Sequence, residues 1–229
     1  MKFSRYNKIV ITALLILVSP FLISSKLISQ RVDPAANRVV QVNENIYFQA
    51  GTRKFKRGDY QGAIKDFSAV IRLNPGNSIA YYDRALVYSQ INRWDLALAD
   101  YNQALLLNPD EIRFYNNRGV VYLHQNQWDL ALADFNRIIA LNPNDAGAYH
   151  NRGAVYYHQN QWQLALKDLS QAIALNPDDA GAYNHRGLIY FEQNQWENAL
   201  DDFAKALEAD SHYSDDYYSW GLINSMLIR

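Results

Sequence analysis

Apolar and small side chains recur at spacings of three and four residues through most of this 229-residue chain. Those spacings are the period of an α-helix, whereas a strand requires strict alternation. A polar pair, Asn126-Gln127, interrupts the pattern between two such runs. The pattern therefore predicts two antiparallel helices joined by a short turn, with the following residues on their facing sides: Tyr115, Gly119 and Tyr122, then Ala131, Phe135 and Ile138.

The hairpin pattern repeats every 34 residues, because Asn-Pro pairs stand at 74–75, 108–109, 142–143 and 176–177. Proline cannot continue a helix and moves the preceding residue out of the α region, so each second helix is predicted to end there. The period defines five units, and we number the positions of each unit from its first residue. The units are 44–77, 78–111, 112–145, 146–179 and 180–213, followed by a partial unit, 214–229, predicted as a closing helix.

Four positions carry the repeat: Tyr at 4, Gly or Ala at 8, Ala at 20, and Phe, Tyr or Leu at 24. Small residues at 8 and 20 let the two backbones approach, and the larger side chains fill the remaining space. With proline at 32, this order resembles the tetratricopeptide repeat, in a form similar to bacterial members. The resemblance implies an all-α superhelix of five repeats whose first helices line a concave groove. It also implies a non-enzymatic scaffold that binds protein or peptide partners there.

The N-terminus is a separate segment, with Lys2, Arg5 and Lys8 followed by the uncharged, apolar stretch 9–25. This layout is typical of a secretory signal or a signal anchor. The residues that follow this stretch are a poor match to the small residues of a signal-cleavage site. Residues 1–29 are therefore predicted as one hydrophobic anchor helix and 30–43 as a linker. The charge bias places the repeats outside the cytoplasm on a single-pass membrane protein. The alternative is a periplasmic or secreted protein released by signal cleavage.

Composition excludes several classes of function. The chain has no cysteine, so it can form neither disulfides nor thiolate metal sites, and its net charge of −1 gives no indication of nucleic-acid binding. No phosphate-binding loop or nucleophile motif occurs, and we expect no enzyme activity and no cofactor. The histidines lack the spacing of a metal site, so no metal is expected.

Two further positions depart from an apolar repeat. Position 7 is arginine in units two to five, and position 23 is aspartate in all five units. A half-buried guanidinium needs a carboxylate, so these residues are predicted to form a structural Arg–Asp ladder. Position 17 is tryptophan in units two to five. A stripe at one repeat position indicates packing between helices rather than an aromatic ligand cage.

Residues that the resemblance places on the groove side of the first helices are the predicted binding surface. They are rich in amides, histidine and tyrosine, which suits hydrogen bonding to an extended protein segment. A second surface is the apolar segment 214–229, which either packs on the fifth unit or mediates self-association. The predicted groove residues are Tyr82, Arg113, Asn116, Asn117, His150, Asn151, Tyr157, Asn184, His185 and Phe191.

Overall fold

A computed structural model describes residues 34–210, and it contains ten α-helices in that range. They form five antiparallel hairpins, in agreement with the predicted all-α solenoid. The helices are α1 Pro34–Lys56, α2 Tyr60–Leu73, α3 Ser78–Gln90, α4 Trp94–Leu107, α5 Ile112–His124, α6 Trp128–Leu141, α7 Ala146–His158, α8 Trp162–Leu175, α9 Ala180–Glu192 and α10 Trp196–Ala209. The predicted anchor, 1–29, and the predicted closing helix, 214–229, lie outside the described residues.

The first hairpin differs from the prediction at its beginning. α1 starts at Pro34, so residues 34–43 of the predicted linker continue the first helix of the array. Proline is favoured at the first helical position because its missing N–H would have no partner there. Among the described residues no helix is both long enough and apolar enough to span a membrane.

Each hairpin turn uses a residue in the left-handed region at position 15. Gly58 has φ 78° in the first turn, and Asn92, Asn126, Asn160 and Asn194 have φ between 56° and 60° in the others. Glycine and asparagine tolerate this region better than other residues. The turns therefore reverse the chain within three residues at every hairpin.

Each second helix ends at the predicted position, and in the first four units an Asn-Pro pair follows it directly. The last helical residues before the Asn-Pro pairs are leucines, for example Leu73 and Leu107, and the asparagine that follows still donates its backbone N–H to the last turn. α10 ends in the same way at Ala209, with Asp210 in the place of asparagine. The end of the hairpin is therefore common to all five units.

The hairpin interior is built around one large side chain that faces glycine. Phe135 is fully buried, and a Cβ added to Gly119 would lie 2.8 Å from its ring. In the fourth hairpin Leu169 takes this place, 2.9 Å from the Cβ position of Gly153. Such distances favour glycine at position 8, and the second hairpin accommodates at most the methyl group of Ala85 beside Tyr101. The small-residue prediction is confirmed.

Successive hairpins stack so that neighbouring first helices contact each other, while neighbouring second helices do not come as close within the described residues. This asymmetry curves the array and places the first helices on its inner side. The first helices therefore form the concave face, as the resemblance implied.

Candidate functional site

The predicted Arg–Asp ladder is confirmed, and the structure shows how it is connected. Arg152 donates through Nε and Nη2 to both carboxylate oxygens of Asp168, at 2.6 and 2.8 Å. Its Nη1 donates to Asn136 of the preceding hairpin at 2.6 Å. The carboxylate side chains are only 2–9% exposed, so the ion pairs are interior features. Equivalent bidentate pairs are Arg84–Asp100, Arg118–Asp134 and Arg186–Asp202.

Two details of this ladder differ from a simple row along the stack. Each of these aspartates pairs with the arginine of its own hairpin. The third guanidinium nitrogen of that arginine bonds to a side chain of the preceding hairpin. In the first hairpin, which has Ala50 at position 7, Lys54 one turn further on contacts Asp66 at 2.7 Å. The arginines also lie over tyrosine rings of their own helix, as Arg152 does over Tyr149 at 5.5 Å.

The tryptophans pack between helices, as predicted. Trp162 and Trp196 contact aromatic rings of their own hairpins, whereas Trp94 and Trp128 reach the next hairpin. Trp94 stacks on His124 of the next hairpin, with ring centroids 5.7 Å apart and planes 15° apart. Trp128 stacks on His158 in the same manner, at 5.3 Å. These histidines therefore take part in contacts between successive units.

All ten predicted groove residues lie on the first helices α3, α5, α7 and α9. What the sequence did not show is that many of these side chains bind one another. The side chain at position 5 of one hairpin meets the side chain at position 6 of the next, and we call this row of contacts the groove ladder. Its three rungs are Tyr82–Asn117, Asn116–Asn151 and His150–His185.

The first two rungs are hydrogen bonds between neutral groups. Asn117 Nδ2 donates to the Tyr82 hydroxyl at 2.9 Å, and it also donates to the Arg113 carbonyl at 3.0 Å. Asn151 Nδ2 donates to Asn116 Oδ1 at 3.1 Å. Such bonds hold the amides in fixed orientations. The amide atoms that take no part in these bonds therefore keep one direction and can bind a ligand.

Tyr82 is mostly a packing residue. It is 8% exposed, and its ring lies 4.8 Å from that of Phe114 and 6.0 Å from that of Tyr101. Arg113 lies over the outer face of the Tyr82 ring at 5.7 Å and is held by Glu111 at 2.9 Å. Asn184 is also 8% exposed. These two residues shape the concave face more than they extend from it.

The third rung belongs to a histidine pair anchored by an aspartate. His150 Nδ1 lies 3.0 Å from Asp179 Oδ2, and His150 Nε2 lies 3.3 Å from His185 Nδ1. His185 Nδ1 is also 2.9 Å from the Gly181 carbonyl. Because carboxylates and carbonyls only accept, both Nδ1 atoms carry hydrogen and His150 Nε2 accepts. Asp179 additionally caps α9 by accepting from the Ala182 backbone.

The environment of this pair shifts two pKa values in a consistent way. Burial lowers the pKa of His185 to about 4, and the neighbouring His150 acts in the same direction. Burial alone would raise the pKa of Asp179, but the hydrogen bond from His150 outweighs that effect and lowers it. His185 is thus held neutral between the helices at ordinary pH.

We expect acidification to destabilise the last two hairpins. The unfolded chain binds a proton at His185 near pH 6.5, whereas the folded chain does so only near pH 4. Stability therefore falls as pH decreases through this window, by about 1.5 kcal/mol between pH 6.5 and 5. Hydrogen exchange of the α9 amides measures this. His185→Gln should reduce this pH dependence, because glutamine does not titrate in this range, and an unchanged pH dependence in that variant would contradict the assignment to His185.

Aromatic side chains border the histidine pair. Tyr157 lies 5.9 Å from the His185 ring and 6.1 Å from that of Trp162, in edge-on geometry. Phe191 lies 5.2 Å from Trp196 in the last hairpin. The concave face is therefore polar and amide-lined near α5 and more aromatic towards α9. In the described part of the chain no three His, Asp or Glu side chains converge in a way that could hold a metal ion.

The structure is a curved stack of helical hairpins with an ordered concave face. The described residues include no arrangement of catalytic side chains. These features define a repeat scaffold. Family models of the tetratricopeptide repeat match residues 51–92, 82–146, 120–183 and 180–213, and together they span 51–213. The chain belongs to the tetratricopeptide repeat proteins, whose members bind peptide or protein partners.

Solved structures with the same fold include a crystal structure of MamA, 25% identical, with a TM-score of 0.65 over 76% of this chain and 94% of that chain. Another is PilW, described as a widely conserved type IV pilus biogenesis factor, also 25% identical, with a TM-score of 0.68 over 76% of this chain and 80% of that chain. YrrB, described as having an unusual peptide-binding site, is 21% identical with a TM-score of 0.62 over 76% of this chain and 89% of that one, and shares the fold.

Among curated proteins, serine/threonine-protein phosphatase 5 of Mus musculus is 40% identical over 68 residues, and the human protein is 38% identical over the same length. The match covers 30% of this chain and 13% of the phosphatase. The likeness is therefore to one short portion of a much longer protein.

Proposed function

We propose that this protein is a membrane-tethered scaffold that binds an extended segment of a protein partner on its concave face and assists the assembly of a membrane or envelope complex. The observation that carries the proposal is the groove ladder. Successive rungs join the second to fifth hairpins and hold polar side chains in register along the inner side of the stack. An extended chain presents backbone N–H and C=O groups at regular intervals, which such a row of amides can match.

The assembly role and the tether are supported by different observations. PilW, a structural relative at 25% identity, is described as a biogenesis factor. The segment 9–25 is apolar and uncharged after three basic residues, as expected for an anchor. α1 begins at Pro34, with eight residues between it and the end of that segment, so the array would lie close to the bilayer that holds it.

Crosslinking from native membranes tests the binding surface. We expect Asn117→Ala combined with Asn151→Ala to remove the partner captured by the wild-type protein, because two rungs of the groove ladder lose their donors. The matched control is Gln171→Ala with Asn198→Ala, which removes two exposed amides from second helices. Equal capture by all three proteins would contradict binding at the concave face.

The tether is tested separately, by N-terminal sequencing of the mature protein and by alkaline extraction of membranes. A mature chain that retains residues 1–29 and resists extraction supports the anchor. A chain that starts near residue 26 instead identifies a periplasmic or secreted carrier, which is the alternative function. Neither result depends on the outcome of the crosslinking experiment.

A further inference from the structure

Between the first and second hairpins, the two side chains at the positions of a groove-ladder rung do not form a polar pair. In each complete rung, position 6 of a hairpin faces position 5 of the preceding one. Position 6 of the second hairpin is Asp83, and position 5 of the first is Phe48. Phe48 has no polar side-chain atom, and its ring packs edge-on against Phe67 at 5.8 Å. Asp83 is the one charged member of this row.

The Asp83 carboxylate has no protein partner of its own in the described part of the chain. It is half-buried, and no N–H or O–H group donates a hydrogen bond to it. A half-buried carboxylate without a donor is costly, so a position like this is normally paired. The other position-6 side chains, Asn117, Asn151 and His185, all meet a polar group.

Neighbouring charged side chains do not donate a hydrogen bond to the Asp83 carboxylate. Arg113 acts electrostatically on Asp83, but both of its bonded nitrogens donate to Glu111, at 2.9 and 3.2 Å. Asp83, Glu111 and Arg113 together carry one net negative charge. Tyr82 and Tyr101 are the other titratable groups that sense the carboxylate. Burial raises the pKa of Asp83 to about 6, in opposition to Arg113.

We propose that Asp83 binds a lysine or arginine side chain of the partner segment, with the ring of Phe48 opposite it. This inference rests on the proposed function, because it assigns a subsite within the concave face. A cation supplies the donors that the carboxylate lacks, and charge-assisted hydrogen bonds are stronger than neutral ones. The repeat register puts Phe48 at the position opposite Asp83, where an aromatic ring offers a favourable surface for a cation. The partner segment is thereby basic at the position that reaches the second hairpin.

Short peptide pools provide the probe. Each pool is acetylated and amidated at its ends, randomised at all positions but the centre, and carries a fixed central lysine, arginine, glutamate or norleucine. We expect immobilised full-length protein to retain the lysine and arginine pools roughly tenfold more than the norleucine pool, the effect of one charge-assisted hydrogen bond. Asp83→Asn should abolish this preference, whereas Asp129→Asn, an exposed carboxylate on α6, should keep it.

A second measurement uses the unmodified protein and is independent of how the variant folds. Carbon-13 NMR of the Asp83 carboxyl should show its pKa fall when the lysine pool is added and stay constant with the norleucine pool. A preference that persists in Asp83→Asn, or equal retention of all pools by the wild type, overturns this inference and leaves groove binding standing. Failure of every pool to bind overturns the proposed groove function as well.

Discussion

Replacing Asp134 with alanine is expected to lower the free energy of unfolding around the third hairpin by about 3 kcal/mol, the cost of breaking a buried ion pair from one side. The carboxylate is only 3% exposed and accepts two hydrogen bonds from Arg118. Its removal leaves the guanidinium of Arg118, whose side chain is 19% exposed, without its main acceptor. The remaining bond, from Nη1 to Asn102 at 2.6 Å, cannot replace two charge-assisted bonds.

Hydrogen exchange of the full-length protein measures this effect locally, which suits an array whose units contact only their neighbours. We expect faster exchange in α5 and α6 and smaller changes in distant hairpins. Asp129→Ala is the control, because Asp129 is an exposed acidic residue on the same helix. A loss below about 0.5 kcal/mol, the range of ordinary surface substitutions, would show that the pair is not structural.

Phe135→Ala should have the other large effect, about 3–5 kcal/mol, since it empties the centre of the third hairpin. The ring is 0% exposed and lies where a Cβ on Gly119 would be 2.8 Å away, so glycine cannot fill the space that the ring leaves. Because the third hairpin connects two pairs of units, its loss should also divide the array. Urea unfolding of the full-length protein should then change from one transition to two.

The chain itself supplies the control for this substitution. Leu169 occupies position 24 of the fourth hairpin against Gly153 and is fully buried. Phe135→Leu should therefore cost less than about 1.5 kcal/mol and keep a single transition. If Phe135→Ala and Phe135→Leu destabilise the protein equally, the ring is not the centre of the hairpin core.

Much of the fold was predictable because each hairpin repeats the same local rules. The spacing of Tyr115, Gly119 and Tyr122 indicates a helix without reference to any neighbour. Proline at position 32 ends the second helix of each of the first four units through its own backbone geometry. The pairing of Arg152 with Asp168 was also predictable, since a half-buried guanidinium at a fixed position requires a carboxylate that recurs with the same period.

The beginning of the array was less predictable from the sequence. Residues 34–43 resemble a linker in composition, but α1 includes them. Val39 and Val42 of α1 are 60% and 58% exposed, so packing of these side chains within the described residues does not explain the extension. The left-handed turn residues carry a signal in the sequence, because Gly58 occupies the same repeat position as Asn92 and Asn126. Glycine and asparagine are exchanged where φ is positive.

The candidate site was predicted as a set of positions, and its chemistry was not. That Asn116, His150 and Asn151 share the concave face follows from the repeat register. Their mutual bonding does not, because it depends on how far each hairpin is displaced and rotated relative to the last. The same displacement leaves Asp83 without a partner, a condition that no property of the residue itself reveals.

The sequence by itself determined the repeat, the ends of the second helices, the small-to-large packing at positions 8 and 24, and the side of the stack on which each residue lies. These depend on backbone preferences and on a period of 34 residues, both of which are local. Only the tertiary structure decided which polar side chains are already paired and which carboxylate is free for a ligand. Pairing requires two atoms from different hairpins to come within about 3 Å, and that distance is set by stacking.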